Sequence, residues 1–448
     1  MTATPSRRQI LTTGAAAAGA VMLPTGPAHG SDGGPRPSSE RRNRPGRKPR
    51  VAVIITEYRR NSHGDVITTK LLEGYRLHGV DTEPRVEVAS IYLDQVPDND
   101  VGRFMAERHG VPVFDTIPEA LAVGETGKVA VDAVIIVGEH GTYPWNEFGQ
   151  KAYPRRRFFD TAVAAMIASN RFVPIFSDKH LAQAFHDARH MYDTAQRYGI
   201  PFLAGSSLPL TWRFPALTYS ADVALTEAVA LGFSEIESYG FHTLEVLQCM
   251  AERRDGGERG VRSVQVLRGG AVWDAAAQGR WDATLMDAAV DAIRENSGRV
   301  ADGDVRDNTP EPIAFLIEYT DGFRGTALLL HGALSTFAYA GRRGGAVESA
   351  EFLLEYSWPY GHFTFLDRQI EFLAVHGTPP YPVERTLLTT GILDAAMHSD
   401  HQGGTLIETP ELDISYRPVE NPEGTLDPSG TGIGHELPPP SPDERPYD

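Results

Sequence analysis

Val51-Ala52-Val53-Ile54-Ile55, followed by Thr56-Glu57-Tyr58-Arg59-Arg60-Asn61-Ser62-His63-Gly64-Asp65, decides how this chain is read. The first five residues have the apolar, β-branched character of a buried strand. Such a strand at the front of an alternating α/β chain usually feeds a Gly-rich turn, whose backbone N–H groups cradle a pyrophosphate at the next helix. Here the turn holds one glycine and a cluster of ionisable side chains. Either a nucleotide is held in an unusual way or the crevice holds something else.

Working outward, residues 50–205 alternate strand and helix. Strands are expected at Val86–Tyr92, Val113-Phe114, Val131–Val137, Val173–Phe176 and Pro201–Ala204. Helices are expected at Asp65–Leu77, Asp100–His109, from Ile117, at Phe159–Ser169 and at Leu181–Tyr198. Apolar strands alternating with amphipathic helices predict a Rossmann-like parallel sheet covered on both faces, with ligands beyond the strands' carboxyl ends. After 205 the pattern changes. Helices are expected at Ala221–Leu231, Gly240–Glu252, Arg368–Val375 and Arg385–His398. Strands are expected at Val261–Val272, Ile313–Tyr319 and Gly325–His331, with a hairpin through Thr320-Asp321-Gly322. The fold class is therefore α/β: a parallel-sheet domain over 50–205, then an α+β domain with a mostly antiparallel sheet over 206–416.

The ends read differently. Arg7 and Arg8 precede Gln9-Ile10-Leu11, an Ala/Gly run and a small-residue exit, so residues 1–30 look like a twin-arginine export leader. The expected location is outside the cytoplasmic membrane. The leader is too short and too Ala/Gly-rich to span a bilayer, so no stable membrane insertion is expected. Residues 31–49 and the acidic 417–448 are Pro/Gly-rich and are expected to be a disordered linker and tail. A formal net charge of -17 argues against nucleic acid as a partner. Cys249, the only cysteine, excludes an internal disulfide and a Cys-based metal site.

The order of motifs over residues 50 to 410 resembles the Gfo/Idh/MocA family, the glucose–fructose oxidoreductase and inositol dehydrogenase group. Val86–Asp94 looks like its second strand ending in an acid, and Ala106-Glu107-Arg108-His109-Gly110-Val111-Pro112 like its helix-to-strand passage. Ser177-Asp178-Lys179-His180 stands where the family has Glu-Lys-Pro. Gly240-Phe241-His242-Thr243-Leu244-Glu245 looks like its G-x-H-x-x-D helix, and Phe315–Gly325 and His376–Arg385 resemble a sheet strand and a helix lead-in. The resemblance implies hydride transfer between a sugar or polyol and NAD or NADP, and the expected export adds a cell-wall carbohydrate to the candidate substrates. By matched position, Lys179, His242 and Glu245 become the candidate catalytic residues. It also implies a homo-oligomer through the second-domain sheet.

The departures are as informative. With the fingerprint glycines absent, the candidate cofactor contacts are Glu57, Arg59, Asp94, Glu139 and His140, where Arg59 and Arg60 would supply phosphate charge and Asp94 a ribose contact. A second reading takes His63, Asp65, His140 and His180 as ligands for Zn or Mn in a metal-assisted hydrolase or lyase. A third makes the chain a non-catalytic carbohydrate binder, with Tyr143, Trp145, Trp212, Trp358 and Tyr360 as an aromatic platform.

Overall fold

The computed structural model describes residues 46–77, 80–125, 127–355, 358–419 and 447. The expected leader lies outside these residues, as does most of the linker and tail.

Six parallel strands form the first sheet: β1 (Arg50–Ile55), β2 (Glu87–Leu93), β3 (Val113–Phe114), β4 (Ala133–Val137), β5 (Ile175–Asp178) and β6 (Phe202–Gly205). Their spatial order is β3-β2-β1-β4-β5-β6. Period-two alternation fills both faces. Ala52 and Ile54 enter one buried cluster, while Val51, Val53 and Ile55 enter the cluster on the opposite face. The register pairs Ile55 with both Leu93 and Val137, and Asp178 with Gly205, so the strands finish along one edge.

The intervening helices are α1 (His63–Glu73), α2 (Gly102–His109), α3 (Ile117–Ala122), α4 (Arg155–Ser169) and α5 (Phe185–Tyr198). Helix α1 starts earlier than its sequence pattern indicates, because Ser62 caps it by accepting from the Asp65 N–H. It stops at Glu73, and Tyr75–Leu77 pairs with Val80–Thr82 as a small hairpin instead of continuing the helix.

The second sheet has eight strands: β7 (Trp212–Phe214), β8 (Leu225–Gly232), β9 (Val261–Arg268), β10 (Ile313–Tyr319), β11 (Arg324–Leu329), β12 (Phe337–Arg343), β13 (Ala346–Leu353) and β14 (Ile407–Glu408). The order is β14-β9-β10-β11-β8-β12-β13-β7, antiparallel except for the β8–β11 pair. Around it lie α6 (Ser238–Ala251), α7 (Gly270–Ala277), α8 (Ala283–Glu295), α9 (His362–His376) and α10 (Glu384–His401).

Three expectations are corrected here. Ala221–Leu231 is not a helix: Leu225–Gly232 is a central strand with both faces buried. Its small residues reflect close packing, since a Cβ at Gly232 would lie 2.1 Å from Thr243 Oγ1 on α6. The strand beginning at Val261 ends at Arg268, and α7 follows. Two strands that the sequence reading lacked, β12 and β13, turn through Gly344-Gly345, both with positive φ.

One buried cluster runs from β1 and β4 through α4 to α6, α10 and β9–β10, so the two sheets share a continuous core. Helix α10 ties them directly: Thr386 Oγ1 donates to Ala204 O, and Thr390 Oγ1 accepts from Leu181 N. The other face of the second sheet is covered by α7, α8 and the turn between them, through Trp281, Leu285 and Ala289 against Val229, Leu316 and Ala338. That is the sheet expected to carry an oligomer contact. Among the described residues, no helix is long and apolar enough to cross a membrane.

Candidate functional site

The candidate side chains follow directly from the strand ends. Thr56 and Glu57 follow β1, Asp94 follows β2, Glu139 and His140 follow β4, Lys179 and His180 follow β5, and Ser206 follows β6. Helix α6 brings His242 and Glu245 to the same edge. Together these elements enclose a cavity of about 500 Å³ whose wall includes His63, Glu139, His140, Lys179, His180 and His242. Four residues of its wall have left-handed backbones: Asn61 (φ 64°), His140 (φ 70°), Lys179 (φ 68°) and Tyr360 (φ 51°). For non-glycine residues such conformations persist only where surrounding structure holds them, and they concentrate at functional sites.

Lys179, His242 and Glu245 form one chain of hydrogen bonds. Lys179 Nζ lies 2.5 Å from His242 Nε2, and His242 Nδ1 lies 3.1 Å from Ser206 Oγ. Ser206 donates its hydroxyl hydrogen to Glu245 Oε2 at 2.6 Å, and its N–H donates to the same oxygen at 2.7 Å. Because the single hydroxyl hydrogen goes to Glu245, Ser206 Oγ accepts from His242 Nδ1–H. That leaves Nε2 as the acceptor for Lys179. Burial lowers His242 well below the usual imidazole range, and the nearby Lys179 charge lowers it further. Burial raises Glu245 to about 7, against the opposing hydrogen bonds from Ser206.

A second pair faces the same space. His63 Nδ1 lies 2.6 Å from Asp178 Oδ2. With Asp178 ionised, the bond fixes the Nδ1–H tautomer, and among the described residues Nε2 has no hydrogen-bond partner. Burial, followed by Lys179, lowers His63 strongly, while burial raises Asp178 to about 6. Buried polar atoms without partners among the described residues cluster here: His140 Nε2, Asp178 Oδ1, His180 Nδ1 and His362 Nδ1. Burial and then His63 lower His140 to about 4.

Glu139 is 7% exposed and ion-paired with Arg155, itself 1% exposed. Burial pushes this carboxyl up, but Lys179 and Arg155 outweigh it and hold it below the usual range. Arg155 Nη1 also reaches His180 Nε2 at 2.9 Å.

The other sequence candidates are placed differently. Glu57 and Arg59 bond one another, Nε to Oε1 at 2.5 Å. Asp65 turns back into its own loop, accepting from Asn61 N at 2.9 Å, Thr69 Oγ1 at 2.8 Å and the Tyr447 hydroxyl at 2.7 Å. Asp94 accepts from Tyr92, Tyr143 and Arg157.

The proposed metal set is not assembled. Among the described residues, no group of three or more His, Cys, Asp or Glu side chains is placed to hold a metal ion. His180 faces a guanidinium, which competes for its lone pair and repels a cation, and Asp65 is committed elsewhere. Of the five aromatic residues proposed as a sugar platform, Trp145 and Tyr360 line the cavity. Trp212 packs edge-on against Phe365, and Tyr143 turns to Asp94.

Ser206 is the residue that the sequence reading missed. Its position one residue beyond the last parallel strand was the available signal. His362 and Tyr239 carried no such signal and reach the cavity only through tertiary packing.

Solved structures share this architecture. GenD2 from gentamicin A biosynthesis, in complex with NAD, is 16% identical; the match covers 82% of this chain and 98% of that one, with a TM-score of 0.52. The apo scyllo-inositol dehydrogenase from Lactobacillus casei is 10% identical; the match covers 81% and 98%, with a TM-score of 0.50. At these identities the likeness is one of fold. No family model matches the chain, and no curated protein matches it.

Proposed function

We propose that this chain is an enzyme on an oxidoreductase fold that acts on a sugar, polyol or cell-wall carbohydrate, with Lys179 and His242 handling the proton of a substrate hydroxyl. The observation that carries this reading is the continuous Lys179–His242–Ser206–Glu245 chain beside the cavity. The structures of similar fold include a scyllo-inositol dehydrogenase, which supports a small polyhydroxylated substrate.

In this reading Lys179 orients the substrate hydroxyl by donating to its oxygen. The hydroxyl proton passes to His242 Nε2 as Nδ1 gives its own proton to Ser206, and the Ser206 hydrogen moves to Glu245. Glu245 can take it because burial raises its carboxyl to about 7. No net charge is then left on the buried imidazole, whose ionisation burial opposes. The same relay serves a hydride transfer to NAD or NADP, the chemistry implied by the family resemblance, and a redox-neutral proton transfer. In both, a base must take a hydroxyl proton.

The test is turnover of a panel of polyols, sugars and sugar acids followed by mass spectrometry and proton NMR. Lys179→Met and His242→Gln should each reduce conversion by at least about 100-fold, the ordinary scale of general acid–base catalysis. Conversion that survives both substitutions contradicts the assignment.

We further propose that the site works outside the cytoplasmic membrane, on the strength of Arg7-Arg8 and the Ala/Gly run after them. Fusing residues 1–30 to a reporter, with Arg7→Lys/Arg8→Lys as the control, checks this: cytoplasmic retention of the native fusion contradicts it.

A further inference from the structure

In open parallel sheets of this order, a dinucleotide lies across the point where strand order reverses, here between β1 and β4. Its pyrophosphate rests on the first helix's N-terminus, and an acid after the second strand holds a ribose. This chain's residues do not fit such a group at any of three places.

The first is the pyrophosphate position. The Asn61 N–H is already taken by the Asp65 carboxylate, and Glu57 is only 6% exposed in the same turn. A diphosphate would meet two carboxylates, Glu57 and Asp65, and like charges repel. Arg59, the cation expected to compensate, is bonded to Glu57.

The second is the switch point itself. His63, at the start of α1, reaches past the end of β4 to Asp178 on β5, at 2.6 Å. Thr56 Oγ1 donates to Glu139 O at 2.5 Å, joining the two loops that would flank a dinucleotide.

The third is the ribose position. The loop after β4 lies over the end of β2, where Thr142 N donates to Gln95 Oε1 and Gln95 Nε2 donates to Thr142 O, both at 2.9 Å. Asp94 has both oxygens engaged, by Tyr92, Tyr143 and Arg157. A ribose hydroxyl would have to displace a charge-assisted pair.

We infer that the chain has closed its dinucleotide crevice with its own side chains, and that the chemistry at the cavity is redox-neutral. The side chains that close the crevice also equip the cavity: His63, oriented by Asp178, is a second proton-handling pair beside the Lys179–His242 relay. In such a site one pair takes a proton from substrate, from oxygen or from a carbon next to a carbonyl. The other returns a proton to carbon or to a departing hydroxyl. The electron pair stays in the substrate or leaves with that hydroxyl, so no external oxidant or reductant is needed. The inference goes beyond the relay, which operates with or without a dinucleotide.

The test uses the full chain as purified. The protein is denatured and the released small molecules are identified by mass spectrometry, then the native protein is titrated calorimetrically with NAD+, NADH, NADP+ and NADPH. No released dinucleotide and no binding at ligand concentrations up to about 1 mM, the weak end of specific recognition, is the expected result. Stoichiometric released nucleotide, or a Kd below that concentration for any of the four, overturns the inference. It would leave the relay standing, because the relay is judged by the Lys179 and His242 variants.

Discussion

Glu245 lies at the inner end of the proton chain, 1% exposed, and its carboxyl titrates near 7 because burial penalises its charged form more than Ser206 compensates. The consequence for stability has a definite sign. The folded pKa is raised above the ordinary 4.5, so the native state holds the proton that the unfolded state loses. The associated stabilisation is complete below about pH 4.5 and is lost as pH rises through about 7. Glu245→Gln removes this dependence. Urea titrations at a series of pH values should show wild type losing up to about 3 kcal/mol relative to the variant across that window. Parallel curves for the two proteins would mean that Glu245 ionises normally. At this scale much of the site was legible in sequence: Lys179, His242 and Glu245 lie within one hydrogen-bonded chain, from motif positions alone. What was not legible was Ser206 between them, or the commitment of Asp65 to Asn61 and Thr69 and of Asp94 to Tyr143 and Arg157. A side chain's partner is a property of packing.

Elements follow their patterns where burial is symmetrical and depart where a neighbour dictates residue size. The continuous apolar run at β4 and the alternating faces of β1 made the parallel sheet readable. Strand β8 was misread because the Ala-rich run Ala221–Leu231 imitates a helix, whereas α6 crosses so closely at its end that a Cβ on Gly232 would meet Thr243 Oγ1. The hairpin β12–β13 carried a Gly-Gly turn signal, but Phe337–Arg343 contains too much Ala and Arg for strand propensity to show. The same close packing makes a prediction for α1. Gly64→Ala places a methyl group 2.8 Å from backbone Glu57 O, which cannot retreat without moving the turn. The denaturant midpoint should fall by an amount corresponding to about 1–3 kcal/mol. An unchanged midpoint would mean that the turn and β1 are not packed as closely against α1 as this geometry requires.

For the whole molecule, the two sheets serve different ends. The parallel sheet supplies strand ends on which to mount Thr56, Glu139, Lys179 and Ser206, while α6 and α10 press the second sheet against it. Helices α7 and α8 and the turn between them occupy the outer face of the second sheet with Trp281, Met286 and Ile293. That face is therefore spent on the chain's own core. Light scattering behind size-exclusion chromatography should give the mass of one chain; a dimer whose cross-links map to β8, β10 and β12 would contradict this arrangement.

The central claim is that Lys179 and His242 act as one proton-sharing unit at the wall of the cavity. Nitrogen-15 NMR of labelled histidine, following the His242 ring against pH in wild type and in Lys179→Met, tests it most directly. The account predicts an imidazole that stays neutral, protonated on Nδ1, well below the ordinary value of 6.5, with a titration that moves up when the Lys179 charge is removed. A His242 that titrates near 6.5 in both proteins, with no response to Lys179, would contradict it.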